Sequence, residues 1–363
     1  MTDLYWPGLH RAGDAFTDAA LVAAMTRVEA AWAAALEARG VAPEGTSAAV
    51  AAYRVADADL AVIGEAAELG GNPLIPLLAR LRRAADQTVP GAGEAVHTGL
   101  TSQDVVDSAL MLVAVAAVEE IVGCLDAQLV AVDELDRRYG DTPLLGRTLG
   151  QPAEVTTLAT RLAGWRADLY DARDLLASWR AQAPVQLGGA VGDRAAMART
   201  LDGDQAAAVR EVAAALGLSA TAPWHTSRGP VTRLGAALVT ATIAWGHVAN
   251  DVLRQSRAEV GELAEPQVPG RGGSSAMPHK QNPVLSVLLR RTALNAPLLG
   301  AQLQLAAAGS VEERADGAWH AEWAPLRDLT RRALAAGHAA TELVTGLQVD
   351  ADRMRSNAEE ARR

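Results

Sequence analysis

Lysine is almost missing from this chain of 363 residues: of 33 basic side chains, 32 are arginine and one is Lys280. Cysteine is nearly as scarce. Cys124 stands alone, which excludes a disulfide framework and a thiolate metal site, and its strongly apolar surroundings mark it as a small core residue. Aromatic residues make up only 4% of a sequence that is half hydrophobic, so the core is Ala, Leu and Val, a composition that favours closely packed helices. Excess positive charge is absent too. A net charge of −10 and the lack of any basic cluster interleaved with aromatics argue against nucleic acid as a partner. The longest apolar run, Ala109 to Val118, stops at Glu119-Glu120 and is too short to span a bilayer. Met1 to Arg11 has no signal-peptide layout. A soluble cytoplasmic protein is expected. No glycine fingerprint follows a strand, and no His, Cys and carboxylate set has metal spacing, so no cofactor or metal is expected.

What remains is helical periodicity. Asp18 to Arg39 carries Leu21, Met25, Val28, Trp32 and Leu36 at helical spacing, and Gly40 and Pro43 end it. Ala48 to Leu69 reads as a second helix, and Leu74 to Asp86 as a third. Pro90 to Gln103 reads as a loop. Asp104 to Arg138 is a single helix, about 50 Å long, and is apolar around much more than one face, so it must be buried by several neighbours. Further helices are expected over Ala153–Gln182, Thr200–Leu216, Val231–Leu263, Val284–Ala308 and Trp319–Leu347, with no sustained strand alternation. The expected class is all-α: a small N-terminal helical domain over 1–96, a central long-helix bundle over 97–347 and a short tail over 348–363. Stripes too wide for one chain to cover suggest a homo-oligomer.

Three polar stretches interrupt this apolar chain. His97-Thr98-Gly99-Leu100-Thr101-Ser102-Gln103-Asp104 places an imidazole, three hydroxyls and an amide before the longest helix. Thr101 or Ser102 suits its cap, and the amides behind them suit an anion. Gly146 to Thr157 contributes Arg147, Thr148 and Gln151, donors suited to a carboxylate. Gly272 to Pro283, rich in glycine, serine and proline, holds Ser274, Ser275, Lys280 and Asn282, and a compact ammonium there offers what a planar guanidinium does not. His247 and His338 lie within helices and read as packed or surface residues, while His10, His225 and His320 stay open. Together these residues describe a helical enzyme that holds a small polyanion among loops from separate helix ends and works with Ser, His and Lys.

Gly273 to Pro283 fits the pattern G-S-S-x-M-P-x-K-x-N-P, and with the other two stretches in order the chain resembles the fumarase/aspartase superfamily from about residue 15 to 350. That resemblance implies a mostly helical fold, a long-helix bundle shared by a homotetramer, and active sites built from three subunits. The implied chemistry is proton removal beside a carboxylate with loss of a β-substituent, or the reverse addition. Fumarate is the usual product. His97 to Asp107 and Arg147 to Ala153 also look like adenylosuccinate lyase, whose second stretch reads R-T-H-G-Q-P-A. Here Leu149 stands in place of the His, and Val287 in place of the Glu that supports it, so neither can move a proton. The loop Gly-Ser-Ser-Ala-Met-Pro-His-Lys, Gln186 to Ala190, Pro223-Trp224-His225-Thr226 and Glu313 to Trp323 are most similar to the 3-carboxy-cis,cis-muconate cycloisomerase family. Glu312 replaces the His frequent there.

By that likeness the substrate is a polycarboxylate, a tricarboxylate diene lactonised to 4-carboxymuconolactone in protocatechuate degradation. The implied catalytic residues are Ser274, His97 and Lys280. The implied substrate contacts are Thr101, Ser102, Gln103, Arg147, Thr148, Gln151, Ser275, Asn282 and Arg314. A fumarate-forming lyase acting on adenylosuccinate, argininosuccinate or a nitrosuccinate is the alternative within the superfamily, and an inactive helical scaffold the one outside it. The superfamily's further C-terminal helical domain is expected to be missing or truncated, since few residues follow Leu347.

Overall fold

A computed structural model describes residues 3–273, 276–277 and 280–360. The fold is all-α, with two small antiparallel ladders. Its axis is the helix Ser102–Tyr139, whose buried side chains, from Val105 and Met111 to Ile121, Leu125 and Val132, face every direction. Such a helix needs company on all sides. Leu158–Ala181 and Trp323–Thr345 pack on it directly, Gly229–Gln255 and Val284–Ala308 complete the bundle, and Asp18–Glu37 covers its beginning. Two of these helices, Asp18–Glu37 and Ser102–Tyr139, are apolar and long enough to cross a membrane, but most of each is buried within the protein.

Consecutive bundle helices run antiparallel, which sorts the connecting segments to two ends. One end holds the start of the Ser102 helix, the 183–194 and 218–228 segments and the 309–322 segment. The other holds 140–157, 256–283 and 346–350. A helix of 38 residues, rising about 1.5 Å per residue, keeps these ends about 57 Å apart.

Several expectations about local structure are corrected. The helix expected over Ala48–Leu69 is two, Thr46–Ala51 and Asp57–Gly70. Asp57 and Asp59 in a first turn favour a new helix start there. The expected Thr200–Leu216 helix is Ala195–Thr200 and Gln205–Leu216, parted at Gly203 with φ 86°. Val231–Leu263 ends at Gln255, and Trp319–Leu347 divides into Ala318–Ala321 and Trp323–Thr345. The segment read as a loop before residue 103 contains the short helix Ala92–Ala95.

The largest correction concerns strands. Pro143–Thr148 and Gln151–Thr157 form a hairpin, and the helix expected from Ala153 begins at Leu158. The turn is Leu149-Gly150, with φ of 50° and 82°, so both residues are left-handed as a two-residue hairpin turn requires. At Gly146 the register shifts, and a Cβ there would come within 2.7 Å of the Glu154 carbonyl oxygen. From Gln151 to Glu154 the returning strand is exposed, so no apolar alternation marked it.

Candidate functional site

At the first end the Ser102 helix begins in a web of buried carboxylates. Thr101 is its N-cap, and Asp104 Oδ2 accepts the Thr101 N–H at 3.0 Å. The same fully buried Asp104 accepts from Gly188 N at 2.7 Å, from Gly189 N at 2.9 Å and pairs with His225 Nε2 at 3.0 Å. The anion expected at this helix start is therefore supplied by the chain itself. One turn on, Asp107 takes Arg228 at 2.7 and 3.0 Å and the Trp319 indole N–H at 2.9 Å. Arg228 also donates to Glu322, through Nε at 3.1 Å, and its guanidinium lies 4.6 Å from the Trp224 ring. Burial alone would lower the Arg228 pKa, but its two carboxylates hold it above the ordinary value. Glu322 is pushed up to about 7, chiefly because burial penalises its charge and despite the attraction of Arg228.

Four expected site residues lie on this web. Thr101 and Ser102 are partly exposed. Arg314 Nη2 donates to Thr101 Oγ1 at 2.8 Å and to the Ala190 carbonyl at 3.1 Å, which ties the helix start to the glycine turn. Gln103, expected against substrate, is fully buried. Its amide nitrogen binds Asp107 Oδ2 at 3.1 Å and the His225 carbonyl at 2.8 Å, so it braces the web from within. His97 belongs to the same end. Its backbone is left-handed at φ 73°, and its Nδ1 lies 2.6 Å from Glu29 Oε1.

At the other end, Arg147 is committed within the chain. Its terminal nitrogens meet Glu262 at 2.9 and 3.0 Å, and Asn357 supports Glu262 at 2.8 Å. This fork anchors the hairpin, whose tip carries Thr148, Leu149 and Gln151 outward, all exposed. Beside it, Leu263 pairs with Val349, and Glu265 accepts from Leu285 N at 3.0 Å and from Ser286 N and Oγ at 2.6 Å. That carboxylate caps the Val284–Ala308 helix. Asn282 closes the base of the signature loop, its side chain and backbone N–H both binding the Gly272 carbonyl, at 2.9 and 2.8 Å. Lys280 is exposed. Ser274 and Ser275 lie outside the described residues.

The expected site residues thus fall into two candidate half-sites, with His97, Thr101, Ser102 and Arg314 at one end of the bundle and Thr148, Gln151, Lys280 and Asn282 at the other. Sequence reasoning missed Glu29, Asp107, Arg228 and Glu322, and gave Asp104 no role beyond its place in the first stretch. Among the described residues, no His, Cys, Asp and Glu group forms a metal cage.

A family model described as "Lyase" matches residues 14–298. Nitrosuccinate lyase from Streptomyces davaonensis is 43% identical over 349 residues, which cover 94% of this chain and 73% of that protein. The 3-carboxy-cis,cis-muconate cycloisomerase of Pseudomonas aeruginosa is 39% identical over 349 residues, 94% of this chain and 74% of its own length. Among solved structures, the 3-carboxy-cis,cis-muconate lactonizing enzyme of Pseudomonas putida superposes with a TM-score of 0.88 at 33% identity, covering 96% of this chain and 77% of that one.

Proposed function

The chain belongs to the fumarase/aspartase superfamily of lyases, and on that footing we propose that it eliminates an anionic leaving group from a substituted succinate, with nitrosuccinate as the lead substrate and fumarate and nitrite as products. The observation that carries this reading is Leu149. It sits fully exposed at the hairpin tip, in a left-handed conformation that a bulky residue adopts at a cost. A leucine cannot hand a proton to a departing amine. A leaving group that is stable as an anion needs none, and nitrite is one. Val287, exposed on its helix, is equally unable to take part in a proton relay. The 43% identity to a nitrosuccinate lyase supports nitrite among such groups.

Ser274, acting as its alkoxide, takes the proton from the carbon next to a carboxylate and becomes the neutral hydroxyl. The bonding pair moves into that carboxylate, making it a dianion, then returns to form the carbon–carbon double bond, and the C–N pair leaves with nitrite. The barrier lies at the dianion, so donors must face the growing charge. Lys280, Asn282, Thr101 and Ser102 are the candidates, with Ser275, Thr148, Gln151 and Arg314 as further contacts.

No single chain can assemble these groups across about 57 Å of helix. We therefore infer a homo-oligomer, a tetramer as in the superfamily, in which one chain's hairpin and signature loop meet another chain's His97 end. Val287, Leu294, Leu298 and Leu305 form one exposed stripe along a bundle helix, an apolar face suited to that contact.

A second reading is lactonisation of 3-carboxy-cis,cis-muconate, favoured by the fold likeness to the Pseudomonas putida enzyme. Run backwards, that reaction also expels a carboxylate that needs no proton. Both readings are tested with one purified protein supplied in turn with nitrosuccinate, 3-carboxy-cis,cis-muconate and adenylosuccinate. Equal amounts of nitrite and fumarate are expected from the first. Loss of the diene absorbance without nitrite would establish the second reading. Fumarate from adenylosuccinate would overturn the role given to Leu149.

A further inference from the structure

The helix Asp18–Glu37 turns one charged side chain inward. Glu29 is 1% exposed, on the face that also buries Met25, Trp32 and Leu36. Its Oε1 meets His97 Nδ1 at 2.6 Å, and its Oε2 has no partner among the described residues. A buried carboxylate oxygen left unpaired is costly, and burying one without a second cation or donor is not what a purely structural position calls for. Three residues further along the same helix, Trp32 donates its indole N–H to the Thr98 carbonyl at 2.8 Å. Two neighbouring side chains of one helix therefore grip His97 and Thr98, and the His97 backbone is held at φ 73° between them.

We propose that Glu29 is the positioning residue for His97, a role that rests on His97 acting in the substrate half-site. A carboxylate only accepts, so the short contact places the ring proton on Nδ1. Nε2 then carries the lone pair, and it has no hydrogen-bond partner among the described residues. When Nε2 takes a proton, the imidazolium faces a carboxylate with one oxygen to spare, in surroundings where little else screens the pair. Glu29 never touches substrate. It sets the tautomer and the orientation of the group that does.

The test uses Glu29→Gln and Glu29→Asp in the full-length protein, alone and with His97→Gln. Glu29→Gln keeps the shape and removes the charge. It should lower kcat about 10- to 100-fold, as removing the outer partner of a working histidine does, while KM and the melting temperature stay near the parent values. Glu29→Asp, which keeps the charge, should recover part of the loss. In the His97→Gln background, Glu29→Gln should cost nothing further. The rate at which diethyl pyrocarbonate modifies His97, read from its peptide by mass spectrometry, should fall in Glu29→Gln. An unchanged modification rate, or an equal loss of kcat with and without His97, would overturn the proposal. The modification rate needs no substrate. It judges Glu29 even if the assayed substrates fail, and that failure would count against the proposed reaction instead.

Discussion

Ser274→Ala should lower kcat on the productive substrate by about 10³-fold, within the range that a positioned general base contributes, and leave KM within a few-fold of the parent value. The reason lies in what the chemistry lacks elsewhere. The proton to be removed sits on carbon, Leu149 and Val287 are apolar, and Lys280 is a cation better suited to charge than to base work. A serine acts as a base only where donors stabilise its alkoxide. In sequence, Ser274 follows Gly272-Gly273 and stands six residues before Lys280, a donor suited to that charge. Steady-state kinetics decide the matter. Loss of kcat and of kcat/KM together marks an interaction made in the transition state, whereas a raised KM with unchanged kcat would reduce Ser274 to a substrate contact and shift the base role to His97.

Arg228→Met should destabilise the fold by about 3–5 kcal/mol, as removing one partner of a buried ion pair does. Arg228, Asp107 and Glu322 are all buried, so the two carboxylates would face each other with no cation between them. Denaturant midpoints measure the loss. The combined variant Arg228→Met, Asp107→Asn, Glu322→Gln should regain most of it, because a neutral set carries no unpaired charge. If the single and the triple variant are equally unstable, packing of the guanidinium on Trp224 accounts for the loss instead. The same triad gives stability a dependence on pH. The Glu322 carboxyl titrates near 7 in the folded protein against an ordinary 4.5. Between those values the folded state binds more protons than the unfolded state, so this group's contribution is present at low pH and is lost as pH rises through about 7. The melting temperature should therefore fall between pH 5 and 8 in the parent by more than it does in Glu322→Gln.

Reading order along the chain explains which of these features could be anticipated. The helix Val284–Ala308 has the limits its periodicity predicts, and the Ser102–Tyr139 helix differs only at its ends. In the Ser102 helix burial on several faces makes the apolar pattern dense, in the Val284 helix a buried stripe and an exposed apolar one do so together, and density is what periodicity detects. The hairpin at 143–157 was not legible, because only the adjacent Leu144 and Leu145 are buried, which gives no alternation, and its turn is Leu149-Gly150 rather than Asn-Gly. The polar stretches announced themselves by composition. Their partners did not: Glu29 lies 68 residues from His97, and Arg228 reaches 121 residues back to Asp107 and 94 forward to Glu322. One signal was available for Glu29, a carboxylate spaced four residues after Met25 and three before Trp32 on an otherwise apolar face. Asp107 offered the same kind of signal, being an acid within the apolar first half of the longest helix.

The 38-residue helix that keeps the two half-sites apart separates two clocks. The bundle contacts, the Asp104 web and the Glu265 cap all lie within one chain. After dilution from denaturant, helicity should then return at a rate that does not depend on how much protein is present. On the proposed shared site, turnover would wait for a second event, the meeting of chains that brings a hairpin to a foreign His97. Its recovery should run faster in concentrated solution and lag the helical signal most in dilute solution, so that a fully folded chain can exist for a time without being an enzyme.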